Sequence, residues 1–423
     1  MTGNIKATGI AVVLALASNA NGETIRHPQL EALVAEAMAH HPELVRARHV
    51  SAAAWQVPPR LGSMPDPMLI VAVQNFRVDQ PSLTSSPMSG IEIALKQDIP
   101  FPGKLGRRSA VATEAARVAE RGIEEKRVMI ALRVREAYWR LHFAEASESI
   151  AIRNEKVLET LANTVLNRFS VGQAAQQDAL QARVAHTRMH ATVLERREAV
   201  ESAKHALNGA IGREPDTGVA ATEEPTPESV NDERATLLAK ARAQNPTLLA
   251  HRAEVVVSEQ SLRLAKYDRW PDFQLGAGYR IRGVVPGDPS NGADMFGVTF
   301  GMTLPVWMAS KQNARVRQAK EELEAARASV EDSALDVATE LERTLDALER
   351  LNQEIELYTK EVGSQSRQAL DASISDYQVG RVGFVSVLQN WQVELEVELT
   401  VVRLLSEREE RLAEFQALVG GPS

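Results

Sequence analysis

Phe273-Gln274-Leu275-Gly276-Ala277-Gly278-Tyr279-Arg280-Ile281-Arg282 is the stretch that decides the architecture. Phe273, Leu275, Ala277, Tyr279 and Ile281 alternate with Gln274, Gly276, Gly278, Arg280 and Arg282. Successive side chains of a strand point to opposite faces, so this segment has one apolar face and one polar or glycine face. Two further segments do the same. Phe296, Val298, Phe300, Met302 and Leu304 alternate with Gly297, Thr299, Gly301 and Thr303, and Ile91, Ile93 and Leu95 alternate with Glu92, Ala94 and Lys96. A fourth segment, Met68 to Phe76, is apolar at nearly every position and alternates poorly. Strands are therefore expected at 68–77, 89–99, 272–283 and 295–304. Strands of about ten residues with an apolar outer face and a charge-tolerant inner face suit an outer-membrane β-barrel. The intervening loops, Arg77 to Ser89 and Gly283 to Asp294, are rich in Pro, Ser, Asp and Gly and read as hairpin connections. Trp270 before the third strand and Trp307 after the fourth are expected at one membrane edge, as an aromatic girdle. A soluble antiparallel sheet packed on a helix face is the competing reading. Four strands cannot close, and open edges are not tolerated in lipid. Single-chain barrels start at about eight strands, so a barrel here needs several copies. Three copies would supply twelve strands, although strand count alone does not select three.

The chain repeats itself. His41-Pro42-Glu43-Leu44 matches Asn245-Pro246-Thr247-Leu248, and Pro65-Asp66 matches Pro271-Asp272. Ile99-Pro100 matches Leu304-Pro305, Phe169-Ser170-Val171-Gly172 matches Tyr377-Gln378-Val379-Gly380, and Leu180-Gln181 matches Leu388-Gln389. The offset stays between 204 and 208. Residues 21–211 form a first structural repeat and 232–423 a second. Between them, 212–231 is rich in Pro, Gly, Thr and Glu and reads as a flexible linker or as a small belt packed outside the helices. Each repeat is expected to run helix, two strands, long helix, tight turn, helix. The first helices are expected at Leu30 to Gln56 and Asp232 to Tyr267, the long ones at Lys104 to Arg168 and Lys311 to Tyr377, and the last at Ala174 to Asn208 and Phe384 to Leu418. At 1.5 Å per residue a long helix reaches about 100 Å. Ala334, Leu341, Leu348, Ile355 and Val362 recur every seventh residue, as do Leu388, Leu395 and Val402, which is coiled-coil spacing.

Bulk properties narrow the class. The 423 residues carry a net charge of −8 and only 4% aromatics, so no basic stripe is available for nucleic acid. The absence of Cys excludes disulfides, thiolate metal sites, a cysteine nucleophile and an N-terminal lipid anchor on Cys. Lys6, the apolar run Gly9 to Ala17 and the small residues Ser18-Asn19-Ala20 read as a secretory signal peptide over 1–20. That run is shorter than the roughly 20 residues a spanning helix needs. No phosphate loop, nucleophile elbow or paired-acid motif is visible, so no enzyme chemistry and no cofactor are expected. His186 and His190, four apart, are too few to hold a metal, and His40-His41 before Pro42 reads as a helix start. Met64, Met68 and Met88 cluster around the first hairpin, where packing is favoured over a soft-metal site.

Pro65-Asp66-Pro67, Gln97-Asp98-Ile99-Pro100-Phe101-Pro102-Gly103-Lys104 and the two Val-Gly turns resemble the TolC family of outer-membrane efflux factors over nearly the whole mature chain. The resemblance implies an α+β, mostly α fold: a TolC-like homotrimeric duct with a 12-stranded β-barrel, four strands per protomer, and a long periplasmic α-helical barrel. It further implies a passive exit duct in the Gram-negative outer membrane. Its partners would be a periplasmic adaptor (membrane fusion protein), an inner-membrane pump of the resistance-nodulation-division type and outer-membrane lipid. Phe101-Pro102-Gly103-Lys104 and Met64-Pro65-Asp66-Pro67-Met68 look most like members paired with heavy-metal pumps, for copper, silver, cobalt, zinc or cadmium; drug efflux and type I secretion use the same architecture. Val171, Gly172, Val379 and Gly380 would be the adaptor-docking tips. Asp178 and Tyr377 match a hydrogen-bonded gate lock, with Arg381 displaced by one residue from a lock arginine. Ser386 and Gln389 stand where the best-known member carries a ring of aspartates. The rival classes are a periplasmic adaptor, a soluble coiled-coil scaffold and a general diffusion porin.

Overall fold

The computed structural model describes residues 27–226 and 232–420. The signal peptide expected at 1–20 and residues 227–231 of the linker lie outside them. In order, the elements are α1 (Pro28–His40), α2 (Pro42–Ala54), α3 (Val57–Gly62), β1 (Met68–Gln74), β2 (Gly90–Ile99), α4 (Lys104–Ser170) and α5 (Gln176–Ile211). The second half supplies α6 (Arg234–Gln244), α7 (Pro246–Tyr267), β3 (Phe273–Arg282), β4 (Met295–Met302), α8 (Gln312–Leu357), a π-helical turn (Tyr358–Val362), α9 (Gly363–Gln378) and α10 (Phe384–Val419).

Two expectations about helices are corrected. The first helix of each repeat is not continuous but breaks at the proline, into α1 and α2 in one half and α6 and α7 in the other. Proline has no N–H to give and disfavours helical backbone in the residue before it, so His41 and Asn245 leave the helix. Each then caps the next one: His41 Nδ1 accepts from Glu43 N at 3.2 Å, and Asn245 Oδ1 from Leu248 N at 3.2 Å. The repeat survives in the packing, since Leu33, Ala37 and Leu44 are buried and so are Leu237, Ala241 and Leu248. The second long helix is also interrupted, by the π turn, where one extra residue per turn shifts the side-chain register. The seventh-residue pattern is met in part. Leu341 and Leu348 are buried, while Leu388, Leu395 and Val402 are only half-buried, because the seam of α10 runs through Phe384, Val387, Trp391, Val397 and Leu404.

The four strands form one antiparallel sheet in the order β1-β2-β3-β4. Its centre, β2 against β3, joins the two repeats, with Ile99 opposite Phe273 and Gly90 opposite Arg282. The register puts Leu69, Val71 and Val73 of β1, Ile91, Ile93 and Leu95 of β2, Leu275, Tyr279 and Ile281 of β3, and Phe296, Val298 and Phe300 of β4 on one face. Most of this face is exposed. The opposite face carries Arg280, paired with Glu92 at 2.8 Å and bonded to Gln74, and Gln274, which donates to Asp98 at 2.5 Å.

The sheet meets the helices at a polar corner. Lys104 is buried at the first position of α4, and its Nζ donates to Asp272 Oδ1 at 2.8 Å and to Trp270 O at 3.2 Å. Phe101 N donates to the same carboxylate oxygen at 2.8 Å. Gly103, at φ +88°, lets the chain turn into the helix, and a Cβ there would lie 3.2 Å from the Tyr267 ring. The Phe-Pro-Gly-Lys run of one repeat and the Pro-Asp of the other are thus two sides of one junction. The linker is a belt rather than a loose loop over its described part. Arg213 pairs with Glu36, Asn208 Nδ2 donates to Pro215 O and Thr217 O, Thr222 donates to Glu145, and Glu223 N donates to Tyr138 OH at 2.6 Å.

Lys104→Met should lower stability by ~2 kcal/mol, below the usual cost of breaking a buried pair because Asp272 is more than one-third exposed. Arg234→Ala removes only exposed pairs with Glu342, Asp346 and Glu349 and should leave the unfolding temperature nearly unchanged. Thermal unfolding followed by circular dichroism checks both; equal effects would contradict the junction's role. Burial tends to raise the Asp272 pKa, but the hydrogen bonds from Lys104 and Phe101 N hold it below the ordinary aspartate value. Its contribution is therefore full above the unfolded aspartate pKa of about 4 and is lost as pH falls through the depressed one.

Candidate functional site

The sheet lies at one end of each long helix and the Val-Gly turns at the other. Both turns have the same geometry. Gly172 N donates to Phe169 O at 3.0 Å and Gln173 N to Arg168 O at 2.8 Å; Gly380 N donates to Tyr377 O at 3.0 Å and Arg381 N to Asp376 O at 2.9 Å. These paired bonds, with glycine at φ +73° and +76°, are the Schellman ending of a helix. Val171 and Val379, just before the glycines, are two-thirds exposed. Each repeat therefore presents an apolar side chain at its outermost point, where no packing within the chain requires one.

Just inside the tips, the structure brings Tyr377 and Asp178 near one another without a direct hydrogen bond. Tyr377 is buried against Phe384, with ring centroids 5.5 Å apart, and its hydroxyl is buried with no hydrogen-bond partner among the described residues. Burial, and then the Asp178 charge, push the Tyr377 pKa up, while Arg168 opposes them. Arg168 is the residue that sequence reasoning missed. Its guanidinium lies 4.9 Å from the Tyr377 ring centroid and donates to Tyr377 O at 2.7 Å and Gln378 O at 2.6 Å, fastening the α4 tip to the α9 tip. The repeat held a signal for it: at the offset of 208 that matches the tips, Arg168 falls on Asp376, so one position carries opposite charges in the two halves. Asp376 pairs instead with Arg381 at 3.5 Å, a surface contact. Ser386 is half-buried and Gln389 exposed on α10, so no carboxylate stands at either position.

Trp270 stacks on Phe101 at 5.0 Å and 13°, beside the Lys104 junction, and Trp307 is exposed in the segment after β4, so both flank the same end of the sheet. His190 reaches across to Glu155 at 2.7 Å rather than to His186. Among the described residues no group of three or more His, Cys, Asp or Glu is arranged to hold a metal ion, and no helix is long and apolar enough to cross a membrane.

A four-stranded sheet with an apolar outer face, carried on helical hairpins of about 100 Å, is the fold of TolC-like channels. The sequence profile of the outer membrane efflux protein family matches residues 72–213 and 237–421, well over half of the chain, which therefore belongs to that family. No curated protein sequence matches it significantly. Solved structures share the fold. The outer membrane protein VceC of Vibrio cholerae is 19% identical, with a TM-score of 0.76 over 93% of this chain and 97% of its own. CusC, described for conformational changes accompanying folding and transmembrane channel formation, is 15% identical, with 0.78 over 94% and 93%. The CmeC outer membrane channel of Campylobacter jejuni is 14% identical, with 0.77 over 100% and 94%.

Gly172→Ala should cost about 1 kcal/mol, because the left-handed backbone is penalised for any residue with a Cβ. A Cβ at Gly172 meets nothing within 4 Å, so no clash adds to that cost. Hydrogen exchange should accelerate at the α4–α5 tip alone; unchanged exchange there would contradict the turn assignment.

Proposed function

We propose that the chain is the outer-membrane channel of a tripartite efflux system, a homotrimer that forms a passive duct from periplasm to exterior. The observation that carries this is the sheet. It exposes a continuous apolar face, leaves both edge strands unpaired, and stands on long polar-faced helices. Lipid satisfies the first feature and further copies the second. Trp270 and Trp307 suit the periplasmic membrane edge. The exposed Val171 and Val379 beside Gly172 and Gly380 suit docking of a periplasmic adaptor, which would link the duct to an inner-membrane pump of the resistance-nodulation-division type. The chain offers no chemistry for driving transport, so energy would come from that pump.

Asp178 and Tyr377, with Arg168 beside them, are proposed as the periplasmic gate, together with Arg381, Ser386 and Gln389. A buried hydroxyl without a partner is costly, so a shift of the tip helices that brings the Tyr377 hydroxyl to a polar group would be favoured. Each such bond contributes about 1 kcal/mol net, multiplied by the number of copies. An adaptor that binds the open state better shifts the population. The cargo proposed is heavy-metal cations, such as copper, silver, cobalt, zinc or cadmium. That reading rests on the likeness of Phe101-Pro102-Gly103-Lys104 and Met64-Pro65-Asp66-Pro67-Met68 to metal-efflux members.

Asp178→Ala and Tyr377→Phe should raise single-channel conductance in planar bilayers; unchanged conductance in both rejects the gate. A strain lacking the chain should become sensitive to at least one of these metals and be rescued by a plasmid copy. Sensitivity confined to organic drugs would reject the metal cargo and leave the duct standing.

A further inference from the structure

The internal repeat specifies how one copy joins the next. Carried forward by the 206 residues that relate Pro65-Asp66 to Pro271-Asp272, Met68 of β1 lands on Gln274 of β3. Carried forward by the 205 that relate Ile99-Pro100 to Leu304-Pro305, Lys96 of β2 lands on Gly301 of β4. Met68 and Lys96 are partners in the first hairpin, and Gln274 and Gly301 are partners in the second. The two hairpins are therefore one unit used twice, in the same register. Within the chain, the seam between units is β2 against β3, where Ala94 faces Gly278 and Leu95 faces Ala277.

The same translation applied to that seam takes Ala94 to Thr299 and Gly278 back to Ala72, and Leu95 to Phe300 and Ala277 back to Val71. We propose that β4 of one copy pairs antiparallel with β1 of the next in this register, Thr299 against Ala72 and Phe300 against Val71, with Asp66 held across the seam by Lys311. The inference rests on the homotrimer proposed above and assigns its joints. The faces agree: Phe300 and Val71 both belong to the apolar face, and Thr299 and Ala72 both to the other. The charges agree as well. Asp66 is the counterpart of Asp272, yet it is exposed and carries no ion pair among the described residues. Lys311 caps α8 just as the Lys104 junction opens α4, is exposed, and is the only Lys or Arg between Leu304 and Arg315. The apolar residues around the corner follow suit. Met64 and Val306 occupy the places of Trp270 and Phe101, and together with Trp307 they are left bare in the single chain. Stacked against each other across the seam, they would do what the Trp270–Phe101 pair does within it.

The absence of native cysteine makes the register readable by cross-linking. Two double variants, Thr299→Cys with Ala72→Cys and Phe300→Cys with Val71→Cys, test adjacent pairs, since antiparallel neighbours alternate between close and wide. In outer membranes treated with an oxidant, at least one should give covalent dimers and trimers that reducing agent abolishes. The shifted control, Thr299→Cys with Gln74→Cys, should not, because diagonal neighbours stand about 7–8 Å apart. Trimers that resist both in-register links, or that link better through the control, overturn the register while the homotrimer stands; loss of the trimer in the cysteine-free protein overturns both. Asp66→Lys and Lys311→Asp should each lower the temperature at which the trimer dissociates in detergent, and the double swap should restore it. A swap as unstable as its two parts combined overturns the ion pair.

Discussion

Backbone N–H and C=O groups have no water to bond in the hydrocarbon layer, so a sheet placed there must have no edges. This chain has two, β1 and β4, and both carry apolar side chains toward the outside. Everything else follows from how that deficit is met. The strands are few, so closing a barrel would take several copies, and the copies would need a broad lateral interface beneath it. The long hairpins are themselves held together within the chain. Their tips and seams bury Leu158, Val165, Leu370, Phe384, Val387 and Trp391 in one cluster, which ties α4 and α5 to α9 and α10. The exposed polar faces of the same helices suit a water-filled periplasm.

Duplication makes this economical. One corner, Lys104 against Asp272, fixes where strand becomes helix for both halves at once, because the cation comes from one repeat and the carboxylate from the other. One tip geometry, with the same two carbonyl-closing bonds, ends both long helices. The halves diverge where a closed ring of identical elements would leave nothing to hold or release. Arg168 crosses from one tip to the other, while its counterpart Asp376 stays on its own side with Arg381. That asymmetry places Tyr377 under a guanidinium beside the tips.

Much of this was legible in the residues. Strict alternation located β2, β3 and β4 to within two residues, because one face of each is apolar and the other carries Arg, Glu, Gln, Thr or Gly. The first strand was harder to read because Ile70 and Ala72 on its inner face are apolar too. The helix start at His41-Pro42 is legible from the proline and the histidine before it, but apolar spacing that continues through Pro42 and Pro246 hides the end of the preceding helix in each half. Other features left no local trace. The π turn at Tyr358–Val362 falls inside a run of unbroken helical spacing. The belt is held by bonds such as Thr222 to Glu145, which only the fold brings together. Arg168 reads as an ordinary helix-end cation until the second tip is set beside it.

The two bare edges of the sheet make assembly of several copies the central claim. Native mass spectrometry of the protein, extracted from membranes in mild detergent, addresses that directly. A single species of three chains, retaining a β-sheet signal by circular dichroism, is the predicted result. A species of one chain under the same conditions would contradict the account, because a lone sheet with two bare edges has no stable place in a bilayer.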